Sequence, residues 1–170
     1  RRLAFKLEYA NPTGSFKDRG SAPLVAFLRG RGVQAAVEDS SGNAGASYAA
    51  YAAKAGLQAK VFVPDYASGP KRQQIEAYGA QIVPILGPRS NTSEAVLNAV
   101  EAGEVYASHA WMPHGLAGYA TLAFELFEQL GGAPGAVIVP AGMGNLLLAI
   151  GRGFQALERA GLIEKTPILV

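Results

Sequence analysis

Asn11-Pro12-Thr13-Gly14-Ser15-Phe16-Lys17-Asp18-Arg19-Gly20 is the stretch around which this 170-residue chain is organised. Pro12 and Gly14 mark a turn. An apolar alternating run, Leu3 to Leu7, precedes it and reads as a strand continuing to Glu8, and a segment with helical spacing follows. A lysine on such a turn, next to an aromatic ring, is partly shielded from water, which penalises its charged form. Its amine is then available as a nucleophile toward a carbonyl. Most lysines are solvated surface residues, so Lys17 gains meaning only from what accompanies it.

Two further stretches accompany it. Ser40-Ser41-Gly42-Asn43-Ala44-Gly45 follows a short apolar run and opens an alanine-rich helix, and Pro140-Ala141-Gly142-Met143-Gly144-Asn145 does the same further on. A strand leading into a helix start presents free backbone N–H groups and the positive end of the helix dipole to an anion. The plain alternative is an ordinary helix cap, for which Ser and Asn are common. The second stretch also invites comparison with the GxGxxG nucleotide loop. Leu147 occupies the place of its third glycine, and Glu164 stands before the last strand instead of at its far end, where a ribose-binding acid belongs.

Working outward, the helical pattern runs from Lys17 to about Arg31, with Pro23 expected to delay or kink it. Strands are predicted at 35–39, 59–64, 81–86, 136–140 and 167–170, with a short one at 105–108. Helices are predicted at 43–55, 70–78, 115–130 and 146–159, and another is capped by Thr92 or Ser93. Strands alternating with helices at short spacing predict an α/β fold with doubly wound parallel sheets. Length alone points to one domain.

Composition narrows the function. Nearly half the residues are hydrophobic and the net charge is +2, a globular balance with no basic block for nucleic acid or an anionic membrane. No apolar run approaches the roughly 20 residues of a membrane helix. With no cysteine, disulfide frameworks and thiolate metal sites are excluded. His109 and His114 lack metal-ligand spacing and read as packing or loop residues. Asp18 and Arg19 read as a local charge pair, and Tyr48 and Tyr51 as helix packing. A chain opening on Arg1-Arg2 and closing on Ile168-Leu169-Val170 in mid-strand is expected to be an interior piece of a longer protein.

The string Asn11 to Gly20 resembles the lysine segment of fold-type II pyridoxal-phosphate enzymes, and in full it resembles threonine synthases. The stretches Ser40–Gly45 and Pro140–Asn145 resemble that family's other cofactor loops, in the same order. The resemblance implies the incomplete two-domain tryptophan synthase beta-like fold, with residues 1–36 and 113–170 in a large cofactor-binding domain and 37–112 in a small mobile one. It implies pyridoxal 5'-phosphate as cofactor, Lys17 as the catalytic Schiff-base lysine, and Gly142, Met143, Gly144 and Asn145 around the cofactor phosphate. Ser40, Ser41, Gly42 and Asn43 would hold the substrate's α-carboxylate, with Asn43 also bonding the cofactor's ring oxygen. The implied reaction is a carbon–oxygen lyase step, O-phosphohomoserine and water giving threonine and phosphate, in a cytoplasmic homodimer acting on a small amino acid.

Two departures bear on the substrate. Threonine synthases often carry Thr where Ala44 stands, and polar or basic residues where this chain has Ala110 to Ala117. The losses leave open a serine or threonine dehydratase, or another β-replacement enzyme of this fold. A non-catalytic anion-binding module is the remaining alternative. The group facing the pyridine nitrogen is expected outside this chain, so the piece alone is expected to be inactive.

Overall fold

A computed structural model describes residues 3–67 and 69–170. The elements follow as α1 (Lys17–Gly30), β1 (Ala35–Glu38), α2 (Asn43–Lys54), β2 (Gln58–Pro64), α3 (Pro70–Ala77), β3 (Gln81–Ile85), α4 (Arg89–Glu101), α5 (His114–Leu130), β4 (Ala136–Val137), α6 (Asn145–Arg159) and β5 (Ile168–Leu169). Strands β1, β2 and β3 form one parallel sheet in that order, and β4 pairs with β5 in a second, also parallel.

The first sheet is buried on both faces, as parallel sheets require. Side chains alternate along a strand, so Val61 and Val63 of β2 meet α1, α2 and α3 through Leu24, Val25, Ala46, Ala49 and Ile75. Phe62 between them points the other way, to Val37 of β1 and Val96 of α4. The second sheet packs one face on α5 and α6, where Leu122, Ala123, Val139, Ile150, Phe154 and Leu157 form a separate core.

Helix α1 joins the two halves, packing on α2 and on α5. It runs unbroken through Pro23, contrary to the delayed or kinked start expected. Proline has no N–H to give the Arg19 carbonyl one turn back, and that carbonyl faces Gly118 of α5. A Cβ on Gly118 would overlap the Arg19 carbonyl and lie 2.9 Å from Pro23 Cγ. Gly20 of α1 likewise lies under the Tyr119 ring, where no side chain would fit.

Three other expectations are corrected. Residues 3–7 form no strand, and Glu8–Ala10 is a short 3-10 turn. Leu3, Phe5 and Leu7 are exposed; an alternating pattern makes a strand only where a sheet edge receives it. The fourth helix begins at Arg89, with Pro88 before it and no side-chain cap, so Thr92 is buried within it. The run 105–108 contributes a single bridge, Val37 to Tyr106.

The α1–α5 contact is testable. Replacing Gly118→Ala forces the helices apart and should cost about 1–3 kcal/mol, an overpacking penalty, read as a lower urea midpoint with unchanged slope. Gly135→Ala, where a Cβ meets nothing within 4 Å, should stay within about 0.5 kcal/mol.

Candidate functional site

The turn before α1 is built by its own polar groups. Asp18 is buried and accepts from the Thr13 backbone N–H (2.7 Å) and the Thr13 hydroxyl (2.5 Å). Across from it, Lys71 Nζ at the start of α3 donates to the Thr13 carbonyl at 3.0 Å. Asp18 and Arg19 therefore do not form the local pair that their adjacency suggested. Arg19 reaches instead to Glu8 (2.7 Å) and Glu125 (2.6 Å), and donates to the Thr121 hydroxyl (2.9 Å). This fork ties the lysine turn to the middle of α5.

Lys17 is the first residue of α1 and is half-buried. Its ammonium sits over the Phe16 ring, 4.7 Å from the centroid, and Phe16 in turn leans on Tyr119 with ring centroids 5.4 Å apart. Burial pushes the Lys17 amine below the ordinary lysine range, and the nearby Glu38 carboxylate opposes that shift. The balance favours a neutral, nucleophilic amine more than a solvated lysine would allow.

The second predicted loop leaves β1 just after Glu38 and Asp39. Ser40 Oγ accepts the Gly42 N–H at 3.3 Å. Gly45 lets the first turn of α2 close over the Ser40 carbonyl, which a Cβ there would overlap. Ser41 is half-buried and Asn43 exposed. No side chain caps α2, so its leading N–H groups are left as potential anion donors. Gly142 and Met143 are exposed in the third loop. Gly144 caps α6 at φ +85°, a conformation that favours glycine. No side chain caps α6 either, and a Cβ at Gly142 or Gly144 would meet nothing within 4 Å. Two open loops with uncapped helix starts suit anionic groups such as a phosphate and a carboxylate, and a desolvated amine suits an aldehyde.

Lys17 and the Ser40–Asn43 loop are linked by Glu38, whose charge acts on the Lys17 amine from the end of β1. Among the described residues no hydrogen bond or ion pair joins the Gly142–Asn145 loop to either. Its place is set by α5, which packs on both α1 and α6.

Two acids of this region escaped the sequence reading. Asp39, buried, accepts from Arg89 (2.7 Å), Ser93 (3.2 Å) and the Tyr106 hydroxyl (2.5 Å), pinning the root of the Ser40 loop to α4. Glu38 is fully buried and is held by His109. The available signal was a pair of acids at the end of an apolar strand, where unpaired burial would be costly. No cluster of His, Asp or Glu able to hold a metal occurs among the described residues. No helix there is long and apolar enough to cross a membrane.

The Arg19 fork makes an acid-stability prediction. Hydrogen bonding to Arg19, with help from Lys6, holds the Glu125 carboxyl down to about 2. A carboxyl depressed on folding adds stability above its unfolded value, about 4.3 for glutamate, and that contribution fades as pH falls toward 2. Thermal midpoints measured from pH 6 to pH 2 should therefore fall less steeply in Glu125→Gln than in the wild type.

Comparison with known proteins agrees with this geometry. The family model described as pyridoxal-phosphate dependent enzyme matches residues 1–169. A threonine synthase of Bacillus sp. (strain ULM1) is 38% identical over 156 residues, covering 91% of this chain and 44% of that protein. A threonine synthase of Methanocaldococcus jannaschii is 37% identical over 168 residues, covering 97% and 41%. The chain thus spans less than half the length of these relatives. Among solved structures, a threonine deaminase from T.th. superposes with a TM-score of 0.78 at 31% identity, covering 89% of this chain and 49% of that one. A pyridoxal 5'-phosphate-dependent aspartate racemase superposes with a TM-score of 0.82 at 29% identity, covering 91% and 48%. With a match over almost its whole length, a parallel α/β fold shared with these enzymes and a desolvated lysine on the expected turn, the chain belongs to the pyridoxal-phosphate dependent enzyme family.

Proposed function

We propose that the chain forms the cofactor and substrate-binding part of a lyase acting on a small amino acid in the manner of threonine synthase, releasing phosphate from O-phosphohomoserine and adding water to give threonine. The observation that carries this reading is the Lys17 amine, half-buried over Phe16, in a chain that also has two uncapped helix starts. Similarity to threonine synthases over nearly the whole chain supports it.

In this reading Lys17 would hold the cofactor through its amine and would move protons at the substrate's Cα and Cβ. Its lowered proton affinity suits an amine that must both give and take a proton near neutrality. Gly142, Met143, Gly144 and Asn145 hold the cofactor phosphate, mainly through backbone N–H groups, so the exposed Met143 side chain is no obstacle. Ser40, Ser41, Gly42 and Asn43 hold the substrate carboxylate, with Asn43 free to bond the ring oxygen. When bound, the cofactor's pyridine ring takes up the electron density left at Cα when its proton departs. Residues 37–112 would close on the substrate as a small domain, and the protein would work as a cytoplasmic homodimer.

A second reading, a dehydratase of serine or threonine, is favoured by one observation. Residues 110–117 carry neither lysine nor arginine, and His114 there is stacked face to face on Phe27 with ring centroids 3.6 Å apart. A phosphate leaving group would lack a cation from this segment.

The test uses the intact protein. After incubation with pyridoxal phosphate and borohydride reduction, mass spectrometry should find a phosphopyridoxyl group on Lys17, absent in Lys17→Ala. Label scattered over exposed lysines such as Lys54, with none on Lys17, would refute the assignment. Phosphate release from phosphohomoserine then separates the first reading from the second, which instead forms ammonia and a 2-oxo acid from threonine.

A further inference from the structure

The Glu38–His109 pair is absorbed by nothing described so far. Residues 105–107 run beside β1, with Val37 N–H donating to the Val105 carbonyl and Ala107 N–H to the Val37 carbonyl, both at 2.8 Å. Glu38 and His109 therefore leave the sheet at the same end, the one from which the Ser40 loop springs. In parallel α/β sheets that end is where ligands bind.

Glu38 is 0% exposed, and both its oxygens are taken by one residue. His109 Nδ1 lies 2.7 Å from Oε1, and the His109 backbone N–H donates to Oε2 at 3.3 Å. Among the described residues no lysine or arginine bonds this carboxylate. A buried carboxylate without a bonded partner would be costly, so the contact fixes the ring as firmly as it satisfies the acid. With Nδ1 committed to Glu38, Nε2 is the nitrogen left for chemistry. The His109 side chain is 24% exposed, so that nitrogen is within reach of a ligand. The Glu38 charge acts on Lys17 of α1, Tyr48 of α2, Tyr106, and Tyr119 of α5, and burial foremost keeps the three phenols protonated. Lys17 and His109 are thus the two groups able to exchange a proton within the reach of this carboxylate.

We propose that His109 is a second acid–base group of the site, serving the substrate's leaving oxygen and the incoming water, and that Glu38 is its positioning residue. This rests on the lyase reading above, in which Lys17 is occupied with the proton of Cα. As the carbon–oxygen bond breaks, its electron pair goes to the oxygen, which takes the proton from Nε2. When water adds to the carbon skeleton, Nε2 takes the surplus proton back as the new carbon–oxygen bond forms. Imidazole and substrate protons balance over the cycle, and no further reagent is needed.

In the intact, cofactor-loaded protein His109→Asn should lower turnover by about 100- to 10,000-fold, the usual range for a lost general acid–base. The cofactor's visible absorbance should be unchanged, one limb of the kcat/KM pH profile should vanish, and added imidazole should restore part of the activity of His109→Gly. Glu38→Gln should retain the limb but lower turnover, since the ring is no longer held. Activity of His109→Asn within threefold of wild type, or an unaltered pH profile, overturns the proposal while leaving label on Lys17, and hence the lyase reading, intact. Nitrogen-15 NMR of the protein without substrate gives an independent readout. Neutral His109 should carry its proton on Nδ1 in the wild type and lose that preference in Glu38→Gln. A proton found on Nε2 instead overturns the proposal whatever Lys17 binds.

Discussion

The close approach of α1 and α5 is the constraint on which the rest of the molecule depends. Gly118 accepts the Arg19 carbonyl against its backbone, and Gly20 accepts the Tyr119 ring. That ring supports Phe16, and Phe16 supports the Lys17 ammonium. One helix crossing therefore sets the height of the shelf on which the nucleophile stands. The same α5 packs on α6 and fixes the Gly142–Asn145 loop. A bulkier residue at either glycine would displace the lysine from both its aromatic support and the far loop, because packed interiors have little slack.

Buried acids supply the second layer of order. Asp18 closes the lysine turn on Thr13, Asp39 pins the root of the Ser40 loop to Arg89, Ser93 and Tyr106, and Glu38 grips His109. Each has lost its water and so must be met by donors in defined positions. The requirement converts charge into geometry. The lysine turn and the Ser40 loop are therefore held by side-chain bonds at their bases, while among the described residues Ser41, Asn43, Gly142 and Met143 make no such bonds, and the last three are exposed.

Much of this was readable from local pattern. The apolar run within Ala59 to Pro64 marks a strand buried on both faces, and Gly56, Gly79, Gly103 and Gly161 stop their helices where expected. Local pattern failed where the outcome depended on a distant partner. Leu3 to Leu7 alternates like a strand but has no sheet edge beside it among the described residues. Pro23 reads as a helix breaker, yet α1 passes through it, and Gly118, far along the chain, lies against the carbonyl that proline leaves unbonded. Asp18 and Arg19 are adjacent and opposite in charge, and each nonetheless bonds elsewhere, since α1 points them to different sides.

The sequence by itself determined the alternation of strands and helices and the order of the three loops. These follow from short-range rules of turn chemistry, capping and hydrophobic period, which a few neighbouring residues suffice to express. Only the tertiary structure decided that Glu38 meets His109 across 71 positions and that Arg19 reaches Glu125 across 106. Such pairings depend on which strand ends and helix faces the fold brings together, and burial then selects the partners, because a desolvated charge is tolerated only where a complementary group is already in place.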